Sequence, residues 1–152
     1  NENEVNLRLK NVKNYIGSFA VDELNQIKFH DYPCFLIINL DCRNLKGSHW
    51  IALAIYPQHL YICDSLGGIK PTTVISQHLI NYLNHISRFR RICITKQLQS
   101  LSSSLCAEYC IHFVKEMSRT NSFKNFLEYF SDNFEKNDSI IQFLNKKQSS
   151  VT

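Results

Sequence analysis

The chain has 152 residues, 44% of them hydrophobic and 20% charged, with four glycines, three prolines, ten phenylalanines and seven tyrosines. That composition excludes collagen-like and intrinsically disordered chains and suffices for one self-contained core. The net charge of +4 permits weak attraction to nucleic acid without demanding it.

The first residues, Asn1 to Glu4, are polar and lack the apolar centre of a signal peptide. No apolar run approaches the ~20 residues that a membrane span needs. Both features predict a chain that is neither secreted nor membrane-bound. The six cysteines, Cys34, Cys42, Cys63, Cys93, Cys106 and Cys110, read as free thiols in a reducing compartment. Cys34, Cys63 and Cys93 sit within apolar runs and are expected to be buried. Cys106 and Cys110 form the only close pair, with no second ligand pair nearby, so no metal site is expected.

In chain order, residues 4–16 carry sparse apolar positions and read as a weak helix or an arm. Residues 34–40, CFLIINL, form an apolar run of strand length. WIALAIY (50–56) and HLYICD (59–64) form two more, joined by a tight turn at Pro57-Gln58, which predicts a hairpin. Over 72–87, Ile75, Leu79, Tyr82, Leu83 and Ile86 share one helical face, with Pro71 and Thr72 as starting residues. RRICIT (90–95) returns to strand character, and Arg88, Arg90 and Arg91 read as a solvated edge beside it. A Gln- and Ser-rich loop (97–105) leads to a helix in which Cys106, Cys110, Phe113, Val114 and Met117 share a face. The tail, about 121–147, reads as one or two polar helices, with fraying from Ser149. The expectation is one α+β domain with a small, mostly antiparallel sheet flanked by helices. Its parts are an N-terminal arm (1–31), a core (32–117) and C-terminal helices (118–152).

Reactive side chains gather at element ends. His49 opens one hairpin strand and Asp64 follows the other. The hairpin alone therefore makes them neighbours. A carboxylate beside an imidazole orients it as a general base and stabilises its charged form. Cys106 stands where loop becomes helix, and a helix N-terminus favours a thiolate. A glutamine in the preceding loop, with the Cys106 backbone N–H, can serve a developing oxyanion. Each residue also has an ordinary reading: a surface histidine, a turn-forming aspartate before Ser-Leu-Gly-Gly, and core thiols, which is the reading taken for Cys110.

The pieces GSHWIALAIY, YICDSLGG and LQSLSSSLCAEYCIHF resemble the adenain-like cysteine proteases: the adenovirus-type endopeptidase and its relatives in Polinton/Maverick elements and large DNA viruses. The sentrin and ubiquitin-like-specific proteases share the same fold and residue order. The resemblance spans roughly 32–117 and implies a papain-like, adenain-type fold. It implies His49 as general base, Asp64 as orienting acid, Cys106 as nucleophile and Gln99, seven residues before Cys106, as oxyanion donor. Gln97 is the alternative donor, and Trp50 would wall the histidine. Ala107 stands where both branches carry Gly, Asp64 where the adenovirus enzyme has Glu, and Leu101 and serines replace a Pro-Asn segment.

The implied activity is endoproteolysis of viral or mobile-element structural precursors during capsid maturation. The rivals are deconjugation at a ubiquitin-like Gly-Gly terminus and a non-catalytic interaction module that keeps the fold. The chemistry requires no cofactor. The adenovirus enzyme is activated by a disulfide-held peptide and by DNA. Cys93-Ile94-Thr95 resembles its disulfide-bearing segment, although the residues themselves read Cys93 as a buried strand thiol. The implied compartment is the virion or the host nucleus or cytoplasm.

Overall fold

The computed structural model describes residues 1–29, 31–40, 49–67 and 77–149. Cys42, Gly47, Ser48, Gly68, Pro71, Thr72 and Ile75, which parts of the sequence reading use, lie outside them. Five strands, β1 (Tyr15–Ala20), β2 (Cys34–Asn39), β3 (Trp50–Ile55), β4 (His59–Cys63) and β5 (Arg91–Ile94), form one sheet in the order β1-β2-β3-β4-β5. The three central strands pair antiparallel, as expected. Each edge strand is added in parallel, so the sheet is mixed rather than mostly antiparallel.

The stretch read as a weak helix or an arm gives a helix over Glu2–Leu9 and, from Tyr15, strand β1. Its signal is weak because Gly17 and Ser18 interrupt the apolar pattern and its first five residues are only half-buried. Parallel pairing with β2 needs a crossover of about a dozen residues. The stretch from the 3₁₀ helix Val21–Gln26 to Pro33 supplies it. Gly17, at φ +132°, takes up the register shift between Tyr15 and Gly17.

β2 and β3 are buried along their whole length because both faces of the sheet are covered. Phe35, Ile37, Trp50, Ala52, Ala54 and Cys63 face a core closed by α1 (Glu2–Leu9), α3 (Cys106–Thr120), α4 (Phe123–Leu127) and α5 (Phe134–Ser149). Leu36, Ile38, Ile51, Leu53, Leu60 and Ile62 face a second core under the 3₁₀ helix and α2 (Gln77–Ile86). Helix α3 lies across β3, flanked by β2 and β4. It buries Tyr109, Cys110, Phe113, Val114 and Met117 completely, each apolar side chain contributing about 1.5–3 kcal/mol of transfer free energy.

The basic cluster before β5 is only partly a solvated edge. Arg88 and Arg91 are exposed. Arg90 donates to the Tyr56 and Ile86 carbonyls and to the Tyr32 hydroxyl at 2.7–2.8 Å, and stacks over the Tyr32 ring. No helix among the described residues is long and apolar enough to cross a membrane.

One buried group opposes stability in acid. His112 on α3 is 1% exposed, and both ring nitrogens lack hydrogen-bond partners. It is boxed by Phe126, Tyr129 and Phe130. Burial disfavours its charge and pushes its pKa down to about 4, against the opposing pull of Glu116. The unfolded chain binds this proton near pH 6.5, so stability from this group falls as pH drops from about 6.5 towards 4. A His112→Phe variant should melt higher than the wild type at pH 4.5, with a smaller gain at pH 7. Equal shifts at both pH values, followed by circular dichroism, would assign the effect to packing alone.

Candidate active site

The two-residue turn at Pro57-Gln58 is closed by Tyr56 N–H donating to His59 O at 2.9 Å, and β3–β4 pairing sets Ala52 opposite Cys63. Both chain ends at the open side of this hairpin therefore lie together. The His49 carbonyl accepts from Leu40 N–H at 3.0 Å, carrying the β2–β3 ladder one step past Trp50. Its side chain meets Asp64: His49 Nε2 lies 2.9 Å from Asp64 Oδ1. An ionised carboxylate only accepts, so Nε2–H is the donor.

The other ring nitrogen, Nδ1, is buried without a hydrogen-bond partner of standard geometry. Cys106, the first residue of α3, lies close enough to the ring to raise its affinity for a proton. Burial opposes the imidazolium. Hydrogen bonding to Asp64 and to Cys106, with their negative charges, outweighs it and pushes the His49 pKa up to about 9. The structure thus brings His49, Asp64 and Cys106 together at one end of the sheet. The neighbouring Cys110 differs: burial, then hydrogen bonding with Cys63, holds its proton firmly.

Asp64 is itself fixed by groups that the sequence reading missed. Thr95 Oγ1 accepts from Asp64 N–H at 2.8 Å and donates to Asp64 O at 2.9 Å. Leu66 N–H donates to Asp64 Oδ1 at 3.2 Å. The signal for Thr95 was its place: it ends the strand that pairs with β4, which delivers Asp64.

Gln99 is buried within this framework. Its Oε1 accepts from Ser65 Oγ at 2.6 Å, its N–H donates to Ser65 O at 2.9 Å, and its Nε2 donates to Ser103 O at 2.8 Å. It therefore ties the turn after Asp64 to the loop before Cys106. The alternative donor, Gln97, gives its Nε2–H to Gln99 O at 3.0 Å. Gly67 makes this approach possible. At φ +102° it adopts a conformation that other residues rarely take, and a Cβ there would stand 2.9 Å from Gln97 Cβ.

The tail reaches the same loop. Asn137 Nδ2, fully buried, donates to Leu98 O at 3.0 Å and Ser131 O at 2.8 Å, and Tyr109 donates its hydroxyl to Asp138 at 2.7 Å. Leu105, just before α3, gives no side-chain cap, and the first N–H groups of a helix have no intrahelical acceptor. Ala107 is half-buried against the main core. The five described cysteines form no disulfide with one another, and among the described residues no cluster of His, Cys, Asp and Glu could hold a metal ion.

Two expectations meet different outcomes here. Cys34 and Cys63 are buried as expected, whereas Cys93 is half-exposed. It lies on edge strand β5, which among the described residues has a neighbour on one side only and leaves Ile92 and Ile94 exposed beside it.

No protein-family profile matches the sequence, and no curated protein matches it. Solved structures do. A crystal structure of HopZ1a with IP6 aligns at TM-score 0.54 and 11% identity, covering 79% of this chain and 44% of that one. HopZ1a with IP6 and CoA aligns at 0.53 and 14%, covering 77% and 39%. The chain shares the fold of HopZ1a. It spans less than half the length of the HopZ1a chains it matches. A crystal structure of the ASFV pS273R protease aligns at 0.49 and 15%, covering 74% and 44%. The papain-like α+β class expected from the sequence is the class observed, with the HopZ1a-like portion taking in most of this chain.

Replacing Asp64 by Asn removes the carboxylate whose hydrogen bond and charge make the leading contribution against burial. The His49 pKa, followed by NMR of its ring protons, should fall from about 9 to the ordinary value of about 6.5 or below. A titration still near 9 in Asp64→Asn would assign the shift to another group.

Proposed function

We propose that the chain is a cysteine endopeptidase domain of the adenovirus type, cleaving structural precursor polypeptides. The observation that carries this is the 2.9 Å His49–Asp64 contact, with Cys106 at a helix start acting on the same ring. In the mechanism, the Cys106 thiolate attacks the scissile carbonyl carbon, forming a C–S bond. His49 gives its proton to the amine as the C–N bond breaks. Water then attacks the thioester, His49 takes its proton, and the acid product leaves with the thiolate restored.

In this reading the Cys106 backbone N–H, in the first turn of α3, serves the developing oxyanion. Gln99 joins it through its second Nε2 hydrogen, the first being held by Ser103 O. Trp50, 9% exposed and next to His49 in sequence, serves in the same reading as the wall of the ring. The exposed edge of β5, with Ile92, Ile94 and the half-exposed Cys93, suits an activating peptide added as a further strand. Deconjugation at a ubiquitin-like Gly-Gly terminus uses the same chemistry and differs only in substrate.

A second reading has its own support. HopZ1a was crystallised with CoA, a thiol carrier of acyl groups. The same Cys106 thioester could be formed from an acyl-CoA, with CoA thiol leaving and an amine replacing water as acceptor.

In a peptide library drawn from structural precursors, Cys106→Ala and His49→Ala should each lower kcat/KM by at least ~10³-fold. Gln99→Ala should lower kcat by about 10²–10³-fold with KM little changed. Turnover of ubiquitin-like aminomethylcoumarin conjugates alone would select deconjugation. Acyl transfer from acetyl-CoA without peptide cleavage would select the second reading. Full cleavage by Cys106→Ala would end all three.

The pH profile offers a further check. His49 must be protonated to release the amine, and it keeps its proton up to about pH 9. Activity should therefore decline above about pH 9. In Asp64→Asn that alkaline limb should move down towards about pH 6.5.

A further inference from the structure

Helix α1 lies outside the stretch whose sequence resembles the adenain-like proteases, yet it reaches the first turn of α3. Arg8 grips Glu108 with both ends of its guanidinium, Nη1 to Oε1 at 2.8 Å and Nη2 to Oε2 at 2.9 Å. From the other side, Asn145 of α5 donates to the Glu108 carbonyl oxygen at 2.9 Å and to its carboxylate at 2.6 Å. Glu108 is two residues after Cys106. The carboxylate is half-buried, and the Arg8 hydrogen bond holds it below the usual range against the cost of burial. A cleft of about 350 Å³ lies over this contact, lined by Glu4, Arg8, Leu105, Glu108, Gln142 and Asn145, among others. Leu105, the residue before Cys106, is thus part of its wall.

A fixed negative charge two residues from a nucleophilic thiol works against the thiolate. The first turn of α3 nevertheless carries one, and Arg8 neutralises it in a fork geometry that lysine cannot reproduce. We propose that Arg8 and Glu108 are positioning residues for Cys106: Arg8, supplied by the N-terminal helix, cancels the Glu108 charge and thereby sets the reactivity of the thiol at the start of α3. This rests on Cys106 being the nucleophile, as proposed above. It gives the arm a role in the chemistry rather than only in covering the sheet.

The two sides of the pair then act with opposite signs. Removing Arg8 leaves an uncompensated carboxylate and slows the thiol. Neutralising Glu108 leaves an uncompensated guanidinium and quickens it. A purely mechanical brace would lose the same contact in either case and move reactivity one way.

The test is the rate at which iodoacetamide, an uncharged reagent, alkylates Cys106 at pH 6.5, scored thiol by thiol by mass spectrometry on the full chain. Arg8→Met should slow it about two- to fivefold and Glu108→Gln should quicken it by a similar factor, the size expected for one charge acting across a partly wet helix turn. Arg8→Lys, which keeps the charge and loses the fork, should stay near the wild-type rate. Thermal melts of each variant accompany the rates. If Arg8→Met fails to fold, the faster reaction of Glu108→Gln still decides. Equal or same-direction changes in Arg8→Met and Glu108→Gln, or no acceleration in Glu108→Gln, would overturn the proposal. Because the reading is a ratio of alkylation rates, it stands or falls apart from whether any peptide is cleaved, which the His49→Ala and Cys106→Ala assays decide.

Discussion

The register of one hairpin holds the site together. Tyr56 N–H to His59 O closes a turn with no slack, and everything at the open end follows from it. Ala52 faces Cys63, Leu53 faces Ile62 and Ile55 faces Leu60. A slip of one residue would turn Cys63 and Leu60 to opposite faces of the sheet and exchange two fully buried cores. The same slip would part His49 from Asp64. The register is therefore specified twice, by apolar burial on both faces and by the ion pair at the end. Helix α3 then needs only to lie across β3 for its first residue to reach that end, and its buried stripe from Tyr109 to Met117 fixes where it lies.

Around this hairpin, polar ties do what apolar packing cannot. Side chains in a core choose a face and a depth, but they set loop backbones poorly. The loop of residues 97–105 has few large apolar anchors beyond Leu98, so its course is set by hydrogen bonds to Ser65, Ser103 and Asn137. The ties to Ser65 and Asn137 join buried donors to buried acceptors, and losing one partner leaves the other unsatisfied at a cost of about 1–3 kcal/mol. Thr95 does the same for Asp64 with a single hydroxyl that both accepts and donates.

Much of this was legible in the sequence. The three central strands, the turn, the helix from Cys106 and the nearness of His49 to Asp64 all follow from apolar runs and from Pro57-Gln58, because local pattern and tertiary burial agree there. β1 was not legible. Tyr15–Ala20 is short, contains a glycine at positive φ, and owes its strand geometry to pairing with β2 rather than to its own pattern. The half-exposure of Cys93 was hidden for a related reason: an apolar run says that a strand forms, not whether it has a neighbour on both sides. Thr95, Ser65, Asn137, Arg8 and Glu108 are ordinary polar residues in sequence, and only their long-range partners give them meaning. Only the family resemblance distinguishes Gln99 from Gln97 in the sequence; what the sequence hides is that its side chain is engaged on both ends, by Ser65 and Ser103.

Glu108 is touched by residue 8 and by residue 145. The two side supports of the first turn of α3 thus span 100 and 37 residues of sequence. Contacts of such separation form after the loops between them have lost their freedom. The surroundings of Cys106 are in this sense a late product of folding, assembled from parts of the chain that lie far from it in sequence.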